Sequence, residues 1–204
     1  MTGTLTSLIL FVIFIYSVVL HEVAHGFTAR SLGDTTAERL GRLTLNPIKH
    51  LDMVGSILLP LLLYVIRSPF VFGYAKPVPY DPTKLRDRTW GPTKVALAGP
   101  GTNIALALIL SVLVRVVTPF APELALALLF NAVFINLVLA LFNLMPVPPL
   151  DGHWLLMAIL PPGTTSLKLA LYRYQWLFLI LIMFFVFPLV VPAIGSLTGL
   201  LTGF

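Results

Sequence analysis

Long apolar runs separated by short polar stretches dominate this chain. Residues 5–20 contain no charged side chain, and further long apolar runs cover about 91–118, 125–144 and 174–193. A helix needs about 20 such residues to cross the hydrocarbon core of a bilayer, since each residue adds only about 1.5 Å of length. The pattern therefore predicts four membrane-spanning helices, of which the first ends near Ser31.

A fifth apolar run, 51–66, is shorter and contains Pro60. The stretch before this run is basic, with Arg30, Arg39, Arg42 and Lys49, and so is the loop after it, at 76–94. A single crossing would put these two stretches on opposite sides of the membrane, although basic loops normally stay in the cytoplasm. We therefore expect a re-entrant or shallow hairpin in which both flanks are cytoplasmic. The stretches 35–46 and 70–82, which are punctuated by Gly, Pro and Asn, predict short β-strands near the membrane surface.

Composition supports an integral membrane protein. Of the 204 residues, 58% are hydrophobic and 10% charged, and the mean hydropathy is +0.97. The net charge of +5 comes from basic residues scattered through loops, which fits lipid headgroups better than nucleic acid, so we expect no nucleic-acid partner. The chain has no cysteine, so a bound metal must be held by His, Asp or Glu.

The first apolar run ends in a His-Glu-x-x-His pattern formed by His21, Glu22 and His25. On a helix, the two histidines lie one turn apart on one face, where both can bind Zn²⁺ while Glu22 acts as general base on the attacking water. A charge near the bilayer centre costs about 2.5–3.5 kcal/mol, so such residues are retained there mainly for function. The alternative is a helix end whose polar residues face headgroup water.

A catalytic zinc site usually has three protein ligands and an open position for water, so a third ligand is needed. Asp151 is the candidate, because it directly follows a span and a proline-rich stretch. The alternative is an ordinary Asp-Gly turn at the membrane surface. The acidic residues other than Glu22 and Asp151 all fall in or beside predicted loops or membrane edges: Asp34, Glu38, Asp52, Asp81, Asp87 and Glu123.

Three stretches together resemble the site-2 proteases, which are zinc metalloproteases that cut inside membranes. They are the pattern at 21–25, the sequence GPGTN at 99–103, which matches the family's GPxxN element, and the sequence NLMPVPPLDG at 143–152, which matches its NxxPxPxxDG element. The resemblance is closest to compact prokaryotic members without a PDZ domain. It implies one Zn²⁺ per chain, bound by His21, His25 and Asp151, with Glu22 as general base.

The same resemblance supports Asn143 as the neutral hydrogen-bond donor that a developing oxyanion needs. Asn103 is a candidate for positioning the substrate or the scaffold backbone. For both asparagines, the alternative is a polar group that ties two helices together.

The expected fold is an all-α polytopic membrane protein: a helical bundle of about four full spans plus a re-entrant or extra hydrophobic segment, with short membrane-associated β-strands. Residues 1–204 form a single membrane protease domain, with a zinc-site core at about 5–160 and a C-terminal span at about 170–196. We expect a multi-pass protein of a prokaryotic cell membrane whose active site lies towards the cytoplasm.

The predicted function is an intramembrane zinc endopeptidase that hydrolyses peptide bonds in or near transmembrane segments during regulated intramembrane proteolysis. The expected partners are the lipid bilayer and a membrane-protein substrate with a transmembrane helix. Glycines at 195, 199 and 203 would also allow a homo-oligomer by close helix packing, or alternatively mark a flexible terminus. A metal-ion transporter is one alternative function, although the chain shows no internal repeat. A relative that binds transmembrane helices without cleaving them is another.

Overall fold

Four helices of the computed structural model are long and apolar enough to cross a membrane, among the residues that the structure describes: 2–67, 73–161 and 163–204. They are α1 (Thr2–Ser31), α4 (Gly91–Val117), α5 (Glu123–Asn143) and a continuous helix, Gln175–Thr202. The prediction of an α-helical protein with four helices able to span a membrane is confirmed. The last helix continues to Thr202, beyond the expected end at about 196.

The last of these four helices has three parts: α8 (Gln175–Leu181), a π-helical turn (Ile182–Val186) and α9 (Phe187–Thr202).

Shorter helices connect the four long ones. The connecting elements are α2 (Thr36–Arg39), a 3₁₀ turn (Pro47–His50), a π-helical stretch (Met53–Leu58), α3 (Leu59–Val65), a 3₁₀ turn (Pro82–Lys84), α6 (Gly152–Ile159) and α7 (Thr165–Arg173).

The bundle core lies where α4, α5 and α9 meet, around the buried side chains of Ala107, Val133, Leu137 and Ile194. Helix α1 packs against α4 and α5 on another side. Small residues at these contacts let the helices approach closely, which matters because lipid offers no hydrophobic drive for helices to associate. The outward faces carry many exposed Leu and Phe side chains, as contact with lipid requires.

The carboxyl ends of α4 and α9 lie together at one end of the bundle. Arg115, in the last turn of α4, donates hydrogen bonds of 2.7 Å to the carbonyl oxygens of Leu200 and Leu201. Helix α9 ends at Gly203, which adopts the left-handed conformation (φ 86°) that glycine reaches without steric cost. The carboxyl ends of α1 and α5 lie at the opposite end, because both helices run antiparallel to α4.

The two predicted β-strands are not present, since the described residues contain no strand. The prediction for 35–46 is wrong because Asp34 accepts hydrogen bonds from both the N–H and the hydroxyl of Thr36, and the chain turns into α2. Of the second predicted strand, residues 70–72 lie outside the described residues. Residues 73–81 are extended, but no neighbouring strand pairs with them.

The two segments that flank the fifth apolar run are hydrogen-bonded to each other. The N–H of Tyr74 donates to the carbonyl of Gly55 at 3.0 Å, and the N–H of Lys76 donates to that of His50 at 2.8 Å. Arg42 fastens the returning segment through bonds to the carbonyls of Lys76 and Pro77. The helical stretch between them, 53–65, is only about 20 Å long, which is less than the hydrocarbon core.

Candidate metal centre

The three predicted zinc ligands come together from two distant parts of the chain. His21 and His25 project from one face of α1, and Asp151 immediately precedes α6. The Oδ2 atom of Asp151 lies 3.0 Å from Nε2 of His21 and 3.3 Å from Nε2 of His25. Both histidines are buried, at 6% and 9% exposure, whereas the carboxylate of Asp151 remains partly open.

These separations fit a zinc ion. Tetrahedral coordination with metal–ligand distances of about 2.0–2.1 Å places neighbouring ligand atoms about 3.3 Å apart. The three ligand atoms all lie within 4.8 Å of one another, and the two imidazole–carboxylate separations match the tetrahedral value closely. Two neutral imidazoles and one carboxylate also form a donor set that zinc enzymes commonly use.

Hydrogen bonds at Nδ1, the ring nitrogen that does not face Asp151, orient both imidazoles. His21 Nδ1 lies 2.6 Å from the Oδ1 atom of Asn103, and His25 Nδ1 lies 2.7 Å from the carbonyl oxygen of Val95. Because both oxygens accept hydrogen bonds, each Nδ1 carries the proton, and each Nε2 keeps a lone pair for the metal.

The absence of a side chain at Gly99 leaves room for the two imidazole rings. A Cβ atom at this position would lie 2.5 Å from Nε2 of both His21 and His25, which no side chain could accommodate. Helix α4 therefore passes directly against the ligands, and glycine is required at the point of contact. Sequence reasoning placed Gly99 in the GPGTN element but assigned it no role.

Glu22 lies beside the ligands in a cavity of about 180 Å³. Its Oε2 atom accepts a hydrogen bond of 2.8 Å from the backbone N–H of Val78, which belongs to the extended segment 73–81. The cavity is lined by His21, Glu22, His25, Pro77, Val78, Tyr80, Val95, Ala96, Asn143, Pro149, Asp151 and Trp154. Sequence reasoning missed Val78, because a backbone donor leaves no signature in the sequence.

The two predicted asparagines occupy different positions. Asn143 lines the cavity at the end of α5, where one of its amide hydrogens is bonded to the carbonyl of Leu139 at 2.9 Å. Asn103 does not line the cavity: it is fully buried behind His21, and its amide group donates to the Ser17 carbonyl and to Asn136. These contacts favour the alternative in which Asn103 ties helices together.

Tyr80 is a cavity residue that sequence reasoning did not find. Its hydroxyl is buried and has no hydrogen-bond partner among the described residues. Burial, reinforced by the negative charge of Asp151, raises the pKa of Tyr80 to about 12. The phenol is therefore protonated at neutral pH. The cavity wall thus contains a neutral hydrogen-bond donor that has no acceptor among the described residues.

Comparisons with known proteins identify a family of metalloproteases. Residues 120–185, which include Asn143 and Asp151, match the model of peptidase family M50. The chain is 37% identical over 182 residues to the Bacillus subtilis protein named "Putative zinc metalloprotease YwhC", an alignment that covers 86% of this chain and 78% of the relative.

Two further relatives carry the same designation. Rip2 of Mycolicibacterium smegmatis is 33% identical over 172 residues, which cover 84% of this chain and 64% of that protein. MJ0611 of Methanocaldococcus jannaschii is 43% identical over 63 residues, covering 29% of this chain and 30% of that protein. No solved structure matches the chain.

Proposed function

The chain belongs to peptidase family M50, the site-2 protease family, and is a zinc metalloprotease; from this premise we propose that it cleaves peptide bonds in or near transmembrane segments of membrane-protein substrates. The observation that carries the proposal is the position of the ligands within a helix of membrane-spanning length. His21 lies ten residues before the end of α1 at Ser31, a distance of about 15 Å along the helix. A substrate that stays in the aqueous phase would not reach zinc ligands at that depth.

The chemistry is peptide hydrolysis. Zinc, when bound, supplies a Lewis acid that polarises the substrate carbonyl and lowers the pKa of a water molecule towards about 7. Glu22 accepts the proton from the attacking water and later delivers it to the leaving amine. Val78 holds the Oε2 atom of Glu22, which leaves Oε1 free to meet that water.

Two neutral donors serve the developing oxyanion. Asn143 retains a second amide hydrogen besides the one bonded to Leu139, and it lines the same cavity as Glu22. Tyr80 adds a buried phenol without a hydrogen-bond partner. Donors already placed in a small cavity stabilise charge more strongly than water does, because they need little reorganisation during the reaction.

The site opens towards the cytoplasm in this proposal. The end of α1 nearest the ligands is followed by a basic stretch that contains Arg30, Arg39, Arg42 and Lys49, as the positive-inside rule requires of cytoplasmic loops. The chain around 53–65 then forms a re-entrant hairpin, since its two flanks are bonded to each other and its helical part is too short to cross.

Cysteine labelling tests the sidedness, because the natural chain contains no cysteine. A Lys84→Cys variant in whole cells should resist a membrane-impermeant thiol reagent until the membrane is opened. Phe120→Cys is the matched control: Phe120 is 73% exposed in the turn between α4 and α5, at the opposite end of the bundle, and it should react from outside. Reaction of Lys84→Cys from outside would contradict the proposed orientation.

Mapping of the cleavage site tests the substrate class. The purified protein is reconstituted with single-span membrane proteins, and products are identified by mass spectrometry, with Asp151→Ala as the inactive control. Cleavage within or bordering the apolar segment is expected. Cleavage confined to soluble regions remote from that segment would contradict the intramembrane proposal, and zinc flux without any cleavage would favour a transporter.

A further inference from the structure

Behind His21, a connected set of buried polar side chains joins three of the spanning helices. Ser17 lies on α1 one turn before His21, Asn103 on α4 and Asn136 on α5, with exposures of 4%, 0% and 1%. Neither Ser17 nor Asn136 falls within a sequence element that pointed to the zinc site. We refer to these three residues as the Ser-Asn-Asn chain.

Each member of the chain is hydrogen-bonded to the next. The Ser17 hydroxyl bonds to the carbonyl of Ile13 at 2.9 Å, and the Asn136 amide nitrogen bonds to the Ser17 hydroxyl at 3.0 Å. The Asn103 amide nitrogen bonds to the Asn136 amide oxygen at 2.8 Å. The Asn103 oxygen in turn meets Nδ1 of His21 at 2.6 Å.

The direction of this chain is fixed at its far end, because a backbone carbonyl can only accept a hydrogen bond. The Ser17 hydroxyl must use its single hydrogen on the Ile13 carbonyl, and its oxygen therefore accepts from its other neighbour. That neighbour must present the NH₂ group of Asn136. The Asn136 NH₂ group also donates to the carbonyl of Ala132 at 2.9 Å, which fixes the same amide orientation a second time.

The orientation then propagates to the metal ligand. With its NH₂ group turned towards Ser17, Asn136 presents its oxygen to Asn103, so Asn103 must present its own NH₂ group there. The oxygen of Asn103 is left facing His21 and accepts the proton of Nδ1. Of the two neutral tautomers of His21, only the one with a free lone pair on Nε2 satisfies every bond, and Nε2 is the atom that faces Asp151.

We propose that Ser17 and Asn136 are positioning residues which, through Asn103, hold His21 in the tautomer and orientation that bind zinc. They do not touch the metal or the substrate. The energetics support the proposal. Each of these buried polar groups would cost about 1–3 kcal/mol if it lost its hydrogen-bond partner, so arrangements that break the chain are unfavourable. The inference rests on the zinc site alone and is independent of the intramembrane substrate proposed above.

Zinc affinity, measured without substrate, tests the proposal directly. The dissociation constant is obtained by competition with a chromophoric chelator for the wild type, Ser17→Ala and Asn136→Leu. Loss of a bond that orients a ligand from behind typically weakens metal binding about 10–100-fold, and we expect a loss in this range for Asn136→Leu. We expect a smaller loss, roughly tenfold, for Ser17→Ala, because it removes one of the two acceptors that fix the Asn136 amide and leaves the Ala132 carbonyl in place.

Ser111→Ala is the matched control. Ser111 is 3% exposed, lies on spanning helix α4 and bonds to the carbonyl four residues earlier, as Ser17 does, but it is not hydrogen-bonded to any member of the Ser-Asn-Asn chain. Ser17→Thr is the rescue variant, because it keeps a hydroxyl at the same place. A second readout is the visible absorption spectrum of the Co²⁺-substituted protein, which should shift in Ser17→Ala and be restored in Ser17→Thr.

The outcomes separate positioning from simple helix packing. Weaker zinc binding in Ser17→Ala that Ser17→Thr restores, with an unchanged Ser111→Ala, supports the proposal. Equal zinc affinity in the wild type and in every variant overturns it, even if Ser17→Ala melts at a lower temperature. An equal loss in Ser17→Ala and Ser111→Ala also overturns it, because the effect would then follow from packing. If Asn136→Leu does not fold, the serine variants decide the question alone.

Discussion

The backbone N–H of Val78 donates a 2.8 Å hydrogen bond to the carboxylate of Glu22. This bond joins the extended segment 73–81 to the side chain proposed as general base. Along this segment the N–H groups of Tyr74, Lys76 and Val78 all donate to other parts of the chain, two to carbonyls and one to Glu22. The N–H groups of this segment therefore alternate as they do in a β-strand, although no strand pairs with it, and one of them holds the Glu22 carboxylate.

Removal of the Val78 N–H is expected to slow cleavage. Val78→Pro deletes this donor and replaces the buried valine side chain with a ring, while the neighbouring prolines at 77 and 79 already favour an extended backbone. Without the bond, Glu22 is no longer held towards the attacking water, and kcat should fall roughly tenfold with unchanged zinc content. Val78→Ala keeps the N–H and should retain wild-type kcat. A faster Val78→Pro enzyme would instead indicate that the segment obstructs the site.

A methyl group at Gly99 is expected to weaken zinc binding strongly. In Gly99→Ala the new Cβ would lie 2.5 Å from both metal-binding nitrogen atoms, so zinc affinity should fall by about 100-fold or more. Gly101→Ala is the matched control on the same helix, because a Cβ there meets nothing within 4 Å. It should keep its zinc and gain up to about 1 kcal/mol of stability. Equal zinc content in the two variants would contradict the observed helix contact.

The far end of the extended segment depends on Asp34. This carboxylate is fully buried and accepts the N–H of Asp81 at 2.6 Å. Burial acts to raise the pKa of Asp34, but the hydrogen bonds donated by Thr36 and Asp81 outweigh it and hold the pKa below its usual value of 3.8. A carboxyl whose pKa is lowered in the folded protein stabilises the fold when ionised.

Asp34→Asn should therefore lower the free energy of unfolding by about 2 kcal/mol at neutral pH, the value of a hydrogen-bonded charged group. The difference from wild type should persist above about pH 4 and shrink as the pH falls through the lowered pKa of Asp34. Melting temperatures in detergent between pH 3 and pH 7 measure it. Glu38→Gln, which breaks only the exposed pair with Arg30, should change stability by less than about 1 kcal/mol. A difference for Asp34→Asn that is independent of pH would contradict this account.

The sequence was sufficient for the parts of the protein that repeat a simple pattern. A spanning helix needs about 20 apolar residues, so four spans follow from hydropathy alone. The His21 and His25 spacing fixes two ligands on one helix face, and the scarcity of acidic residues in apolar settings leaves Asp151 as the third. These residues lie together in the structure as the sequence indicated.

The remainder depends on contacts that a sequence pattern does not encode. The stretch 35–46 has strand-like composition, but the bonds from Thr36 to Asp34 begin a helix there instead. Val78 acts through its backbone, and Gly99 acts through the absence of a side chain. Asn136 lies 115 residues after His21, so only the packing of α1, α4 and α5 brings its amide into the chain behind that ligand.

The cleavage rate of zinc-loaded Glu22→Gln, with metal content determined on the same sample, tests the central claim most directly. The claim is that His21, His25 and Asp151 hold zinc while Glu22 moves the proton. Glu22→Gln should therefore bind one zinc per chain, as the wild type does, and cleave a single-span substrate about 10²–10⁴-fold more slowly. Asp151→Ala should lose both zinc and cleavage. Cleavage by zinc-loaded Glu22→Gln at the wild-type rate would contradict the account.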